Sequence, residues 1–90
     1  MEGQQDLLLK GFGMNDAESA RLDEIRPALQ EAFLRAGRNV KYFCNAAEER
    51  GQRWVGFHPN TRHIGDIRIL SREFLSLPIP EAVAKLEQQI

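Results

Sequence analysis

Two histidines, His58 and His63, flank a polar turn with Arg62 between them. Two imidazoles can divide acid and base duties, and an arginine can hold a phosphate in its planar fork. This trio is as close as the chain comes to a ribonuclease-like site. The competing account is that histidines in a turn are solvated side chains, and acid–base work also needs a pocket. Metal binding needs three or four suitably spaced ligands, and only Cys44, His58, His63 and Asp66 are at hand, without the paired C-x-x-C spacing of structural zinc sites. Cys44 shares an apolar stripe with Val40, Phe43 and Ala47, so it reads as a small buried hydrophobe rather than a nucleophile. Phosphate loops, dinucleotide fingerprints, nucleophile elbows and H-E-x-x-H are all missing from the chain. No catalytic residue, metal or cofactor is therefore assigned.

Charge is the stronger signal. The 90 residues carry a net charge of −1, but the distribution is segregated. Residues 1–34 are net −4, residues 35–72 net +5 and residues 73–90 net −2. Within the basic middle, Arg53, Arg62, His63 and Arg68 fall close together and form the candidate binding set. Such a cluster suits an acidic macromolecule, or it matches the acidic first third of the same chain. Phosphate contacts from the same groups would serve nucleic-acid binding, although a slightly acidic domain is atypical of that class.

Those residues need elements to hold them. Leu22, Ile25, Leu29, Ala32, Phe33 and Ala36 form one apolar stripe, which predicts a helix over 15–36. Asn15 with Glu18 three residues on forms a capping box, and Gly37 is a terminator. Pro27 either kinks this helix, the favoured reading, or starts a second one. Residues 39–50 are read as a second helix, capped by Asn39 and ended by Gly51, because Ala46-Ala47-Glu48-Glu49-Arg50 favours helix. Strand propensity in Val40–Cys44 is the rival.

Residues 52–58 and 64–70 read as strands joined by Pro59–His63, an antiparallel hairpin. Ser71 caps a short turn, Leu77–Pro80 is extended, and a closing helix runs over 80–89. From Val40 to Ile90 this order is similar in outline to the HicA-type messenger-RNA interferases of toxin–antitoxin pairs. The parts are played by Ile67-Arg68-Ile69 and Leu77-Pro78-Ile79-Pro80. Their glycine–histidine pair is replaced by Gly56-Phe57-His58, one strand is missing and the first 38 residues have no counterpart, so the chain is not assigned to that family.

The expectation is thus a single α+β domain over 1–90, with residues 1–14 loosely specified. It comprises a kinked N-terminal helix, a second helix, an antiparallel hairpin and a C-terminal helix. Its core is expected to hold Leu22, Ile25, Leu29, Phe33, Val40, Phe43, Trp54, Val55, Ile67, Ile69, Leu70, Val83 and Leu86. Two strands alone are marginal, so residues 6–12 add a third or a second copy of the chain completes the sheet. With one cysteine and no apolar run of membrane-spanning length, a cytoplasmic, non-membrane protein is expected. The functional expectation is a small non-enzymatic regulator or inhibitor that docks an acidic partner, protein before nucleic acid, through the basic hairpin. A winged-helix-like nucleic-acid module and a histidine-dependent ribonuclease are the alternatives.

Overall fold

The computed structural model describes residues 6–90. Its elements are β1 (Leu8–Lys10), α1 (Asp16–Arg35), β2 (Tyr42–Glu49), β3 (Gln52–His58), β4 (Ile67–Leu70), α2 (Ser71–Ser76) and α3 (Ile79–Glu87). The α+β class is as expected. The part of the N-terminal segment over 1–5 lies outside the described residues. No helix among the described residues is long and apolar enough to cross a membrane.

The strands form one sheet in the order β1-β2-β3-β4, with β1 parallel to β2 and the rest antiparallel. Residues 6–12 therefore do supply a strand, and the chain builds four strands without a second copy. Side chains outside the ladder occupy both free edges. Arg26 Nε donates to the Leu8 carbonyl (2.8 Å) and Gln30 Oε1 accepts the Leu7 N–H (2.8 Å) at the β1 edge. At the β4 edge, the Gln89 amide accepts the Arg68 N–H (2.9 Å) and donates to its carbonyl (2.8 Å), as a neighbouring strand would.

Helix α1 runs unbroken through Pro27, which is exposed. Its start is the predicted capping box, with both reciprocal bonds formed between Asn15 and Glu18. Its end is a left-handed Gly37, where the Arg38 N–H reaches the Phe33 carbonyl (2.9 Å) and the Gly37 N–H the Leu34 carbonyl (3.0 Å).

The expected second helix over 39–50 is instead β2. Helix preference in Ala46–Arg50 yields to backbone pairing on both sides, with β1 and β3. Alternation does the rest, since Tyr42, Cys44 and Ala46 all face the core. Gly51 does not end a helix. Arg50 (φ 54°) and Gly51 (φ 78°) are the two left-handed residues of a tight β2–β3 hairpin closed by the Glu49–Gln52 pair. Without that helix the winged-helix order is lost.

The helices cover one sheet face. Phe33 of α1 meets Tyr42 and Phe57 edge-on, at centroid distances of 5.0 and 5.8 Å. Leu22, Ile25, Leu29, Val55, Ile67, Ile69, Val83 and Leu86 are buried as expected, joined by Leu8 and Phe74. Four expected core residues are not. Val40 precedes β2 and is 54% exposed. Phe43, Trp54 and Leu70 are half-buried, because strand parity turns them to the opposite face. Cys44 is fully buried, and burial pushes its thiol pKa far up, so it is a core thiol.

One charged group sits inside this core, with the buried Ser71 beside it. Glu18 is fully buried, and its carboxylate accepts from the Asn15 N–H, both Arg53 Nε and Nη2 (2.7 Å each), and Ser71 Oγ. Burial alone would raise its pKa, but the Arg53, Ser71 and Asn15 hydrogen bonds win and lower it to about 2. A carboxylate with a depressed folded-state pKa contributes stability above its unfolded value, and that stability is lost as pH falls through the folded one. For Glu18 this is on the order of 3 kcal/mol. We expect the thermal midpoint to fall steeply as pH drops from 4.5 toward about 2. Glu18→Gln should melt lower at neutral pH and show a flatter curve over that window. Parallel wild-type and variant curves would contradict this role.

Candidate functional site

The same alternation sorts the basic residues. On β3, Arg53 shares the helix-covered face with Val55 and Phe57, whereas Trp54 and Gly56 look the other way. Arg53 thus lies at the margin of the core, forked onto Glu18, with Nη2 also donating to the Gly13 carbonyl (2.6 Å). It is paired with Glu18 on this face and not presented beside Arg62 and Arg68. The sequence signal for this was the acidic first third of the chain as an internal match, and the partner within it is Glu18.

Arg68 is on the open face. Its Cζ stands 4.5 Å above the Trp54 ring, and its Nη1 bonds Glu49 Oε1 at 2.6 Å. The register explains the stack, because Arg68 pairs with Gly56 and Trp54 with Leu70, leaving Trp54 diagonal to Arg68 beside a residue without a side chain.

Residues 59–66 fold back over the same face and present Arg62 and His63. Asn45 holds them there. It is fully buried on the open side of β2, where Oδ1 accepts the Phe12 N–H (3.0 Å) and Nδ2 donates to the carbonyls of Asn60 (3.3 Å) and His63. The segment passes so close to β3 that a Cβ on Gly56 would lie 2.1 Å from the Ile64 carbonyl oxygen. Inside the loop, His58 Nδ1 accepts the Asn60 N–H (2.9 Å) and Asn60 Oδ1 accepts the Arg62 N–H (2.8 Å). Asn45 was missed in the sequence because it sat in a segment read as helix.

The result is an open pocket of about 530 Å³ lined by His58, Arg62, His63, Asp66, Arg68 and Glu49. The two imidazoles touch, with centroids 5.1 Å apart and planes at 49°. Trp54, Arg68 and Glu49 continue into an adjoining hollow with Arg50 and Gln52. Three of the four expected binding residues, Arg62, His63 and Arg68, are thus brought together, and His58 and Trp54 join them. No group of three or more His, Cys, Asp or Glu among the described residues is placed to hold a metal ion. The arrangement offers hydrogen-bond donors, cationic groups and one half-exposed aromatic ring on the sheet's open face.

Comparison with known protein families, with curated proteins and with solved structures finds no match, so the site is read from its own chemistry.

The division between Arg53 and Arg62 is measurable. Removing Arg53 leaves a buried carboxylate without its cation, and Arg53→Ala should cost about 3 kcal/mol in urea unfolding. Arg62→Ala, at an exposed loop position, should stay within about 0.5 kcal/mol of wild type. Equal costs would show that the assignment of structural and available arginines is wrong.

Proposed function

We propose that this protein is a small non-enzymatic regulator or inhibitor that docks an acidic macromolecular partner, a protein, through the open face of its sheet. The observation that supports this most is Trp54. It lies outside the core, on the uncovered face, stacked under Arg68 and contiguous with Arg62 and His63. Tryptophan and arginine dominate binding energy at interfaces when such a ring is desolvated by a partner. Arg62, His63 and Arg68 supply attraction to acidic groups and orient the encounter. A free cysteine buried in the core suits a reducing, cytoplasmic setting.

Trp54 is the chain's single tryptophan, so its fluorescence reports on this face alone. Partner capture by the wild type should be weakened at least about tenfold by Trp54→Ala and by Arg62→Glu. The melting temperature of Arg62→Glu should stay close to wild type, and Trp54 emission should shift when the captured partner is added back. A partner held equally by wild type and both variants places the contact elsewhere. Loss of binding only on reversing α1 acids such as Asp23 and Glu24 does the same.

A further inference from the structure

The pocket beside Trp54 has a charge balance that depends on protons. Its two arginines, Arg62 and Arg68, are matched in formal charge by two carboxylates, Glu49 and Asp66. With both imidazoles neutral the formal charge of its lining sums to zero. Each imidazole that takes a proton adds one positive charge to a space already supplied with arginine and imidazole donors. Histidine is the side-chain type whose charge changes between about pH 5 and 8.

The two rings are not equivalent. His58 Nδ1 already accepts the Asn60 N–H, which puts the neutral ring's proton on Nε2. A second proton on His58 would set two donors against each other at 2.9 Å. The His63 ring makes no hydrogen bond to any described residue, and its backbone is pinned by Asn45 and Asn60. The groups facing it are His58 from β3, Arg62 and Asp66 from its own loop, Glu49 from β2 and Arg68 from β4.

We propose that this pocket binds a tetrahedral oxyanion, a phosphoryl group, with uptake of one proton by His63, while His58 stays neutral and donates through Nε2. Arginine forks and imidazole N–H groups are matched donors for such an anion. At about 530 Å³ the space exceeds what a bare ion needs and accommodates the group to which a phosphoryl is attached. The proposal rests on the reading that this face meets the partner, and it names the chemistry recognised there and the pH that governs it.

The test uses the isolated protein. Sulfate, which keeps its double charge across the range, and O-phosphoserine are titrated at about pH 5.5 and 7.5 while the imidazole signals of His58 and His63 are followed by NMR. Saturable sulfate binding should be clearly tighter at the lower pH, by up to about tenfold per pH unit as linkage of one proton allows. His63→Gln should abolish that pH dependence. His58→Gln should weaken binding at both pH values and keep the dependence. At about pH 7.5, where both anions are doubly charged, tighter binding of O-phosphoserine than of sulfate would identify a phosphomonoester as the ligand, and equal or weaker binding a free ion; both support the pocket. Absence of saturable binding in the wild type overturns the proposal, as does pH dependence that survives His63→Gln. Either result, with Trp54-dependent docking intact, would leave the docking reading standing.

Discussion

A single buried carboxylate decides how this small domain is arranged. Glu18 is fully enclosed, and moving a charge out of water is expensive unless every lone pair is matched. Its oxygens receive four donors from three places, the α1 cap at Asn15, β3 through Arg53 and α2 through Ser71. Helix start, sheet and second helix are thereby tied at one point. The bonds join parts distant in sequence, 35 residues from Glu18 to Arg53 and 53 to Ser71. The consequence for function is a subtraction. Arg53 is committed to the core's margin, and of the four basic residues singled out by sequence only Arg62, His63 and Arg68 are placed on the other face by strand parity and the 59–66 loop.

That other face has its own anchor. Asn45 is buried on the uncovered side of the central strand and spends its amide on three backbone groups, from Phe12, Asn60 and His63. The loop over residues 59–66 would otherwise lose too much conformational freedom to hold Arg62 and His63 in one place, at roughly 1–2 kcal/mol per residue fixed. Gly56 allows the approach, since any side chain there would strike Ile64. Glu18 fixes one face of the sheet and Asn45 furnishes the other.

Much of this was legible in residue order. The α1 stripe, its Asn15–Glu18 cap, the Gly37 terminator, the antiparallel pairing of β3 with β4 and the closing helix all follow from local pattern. What escaped was non-local. The Ala46–Arg50 segment has helical preference, and only β1 and β3 on either side turn it into a central strand. Arg50-Gly51 looks like a helix end because the left-handed conformation serves both a helix terminus and a tight hairpin. Trp54 looks like core because aromatic residues in short strands generally are, and only the register shows which parity faces the helices. Of the candidate site, Arg62, His63 and Arg68 could be picked out by charge and position. Arg53 could not be separated from them, because its carboxylate partner lies on another element, and Asn45 carried no signal as a positioning residue.

The measurement that bears most directly on this account is a double-mutant cycle between Glu18→Gln and Arg53→Met, read by urea unfolding. If the two groups form one buried unit, each single change destabilises strongly and the double change costs clearly less than their total, with a coupling of at least about 1.5 kcal/mol. Additive costs would mean that the pair does not hold the domain together. Arg53 would then return to the set of cations available to a partner.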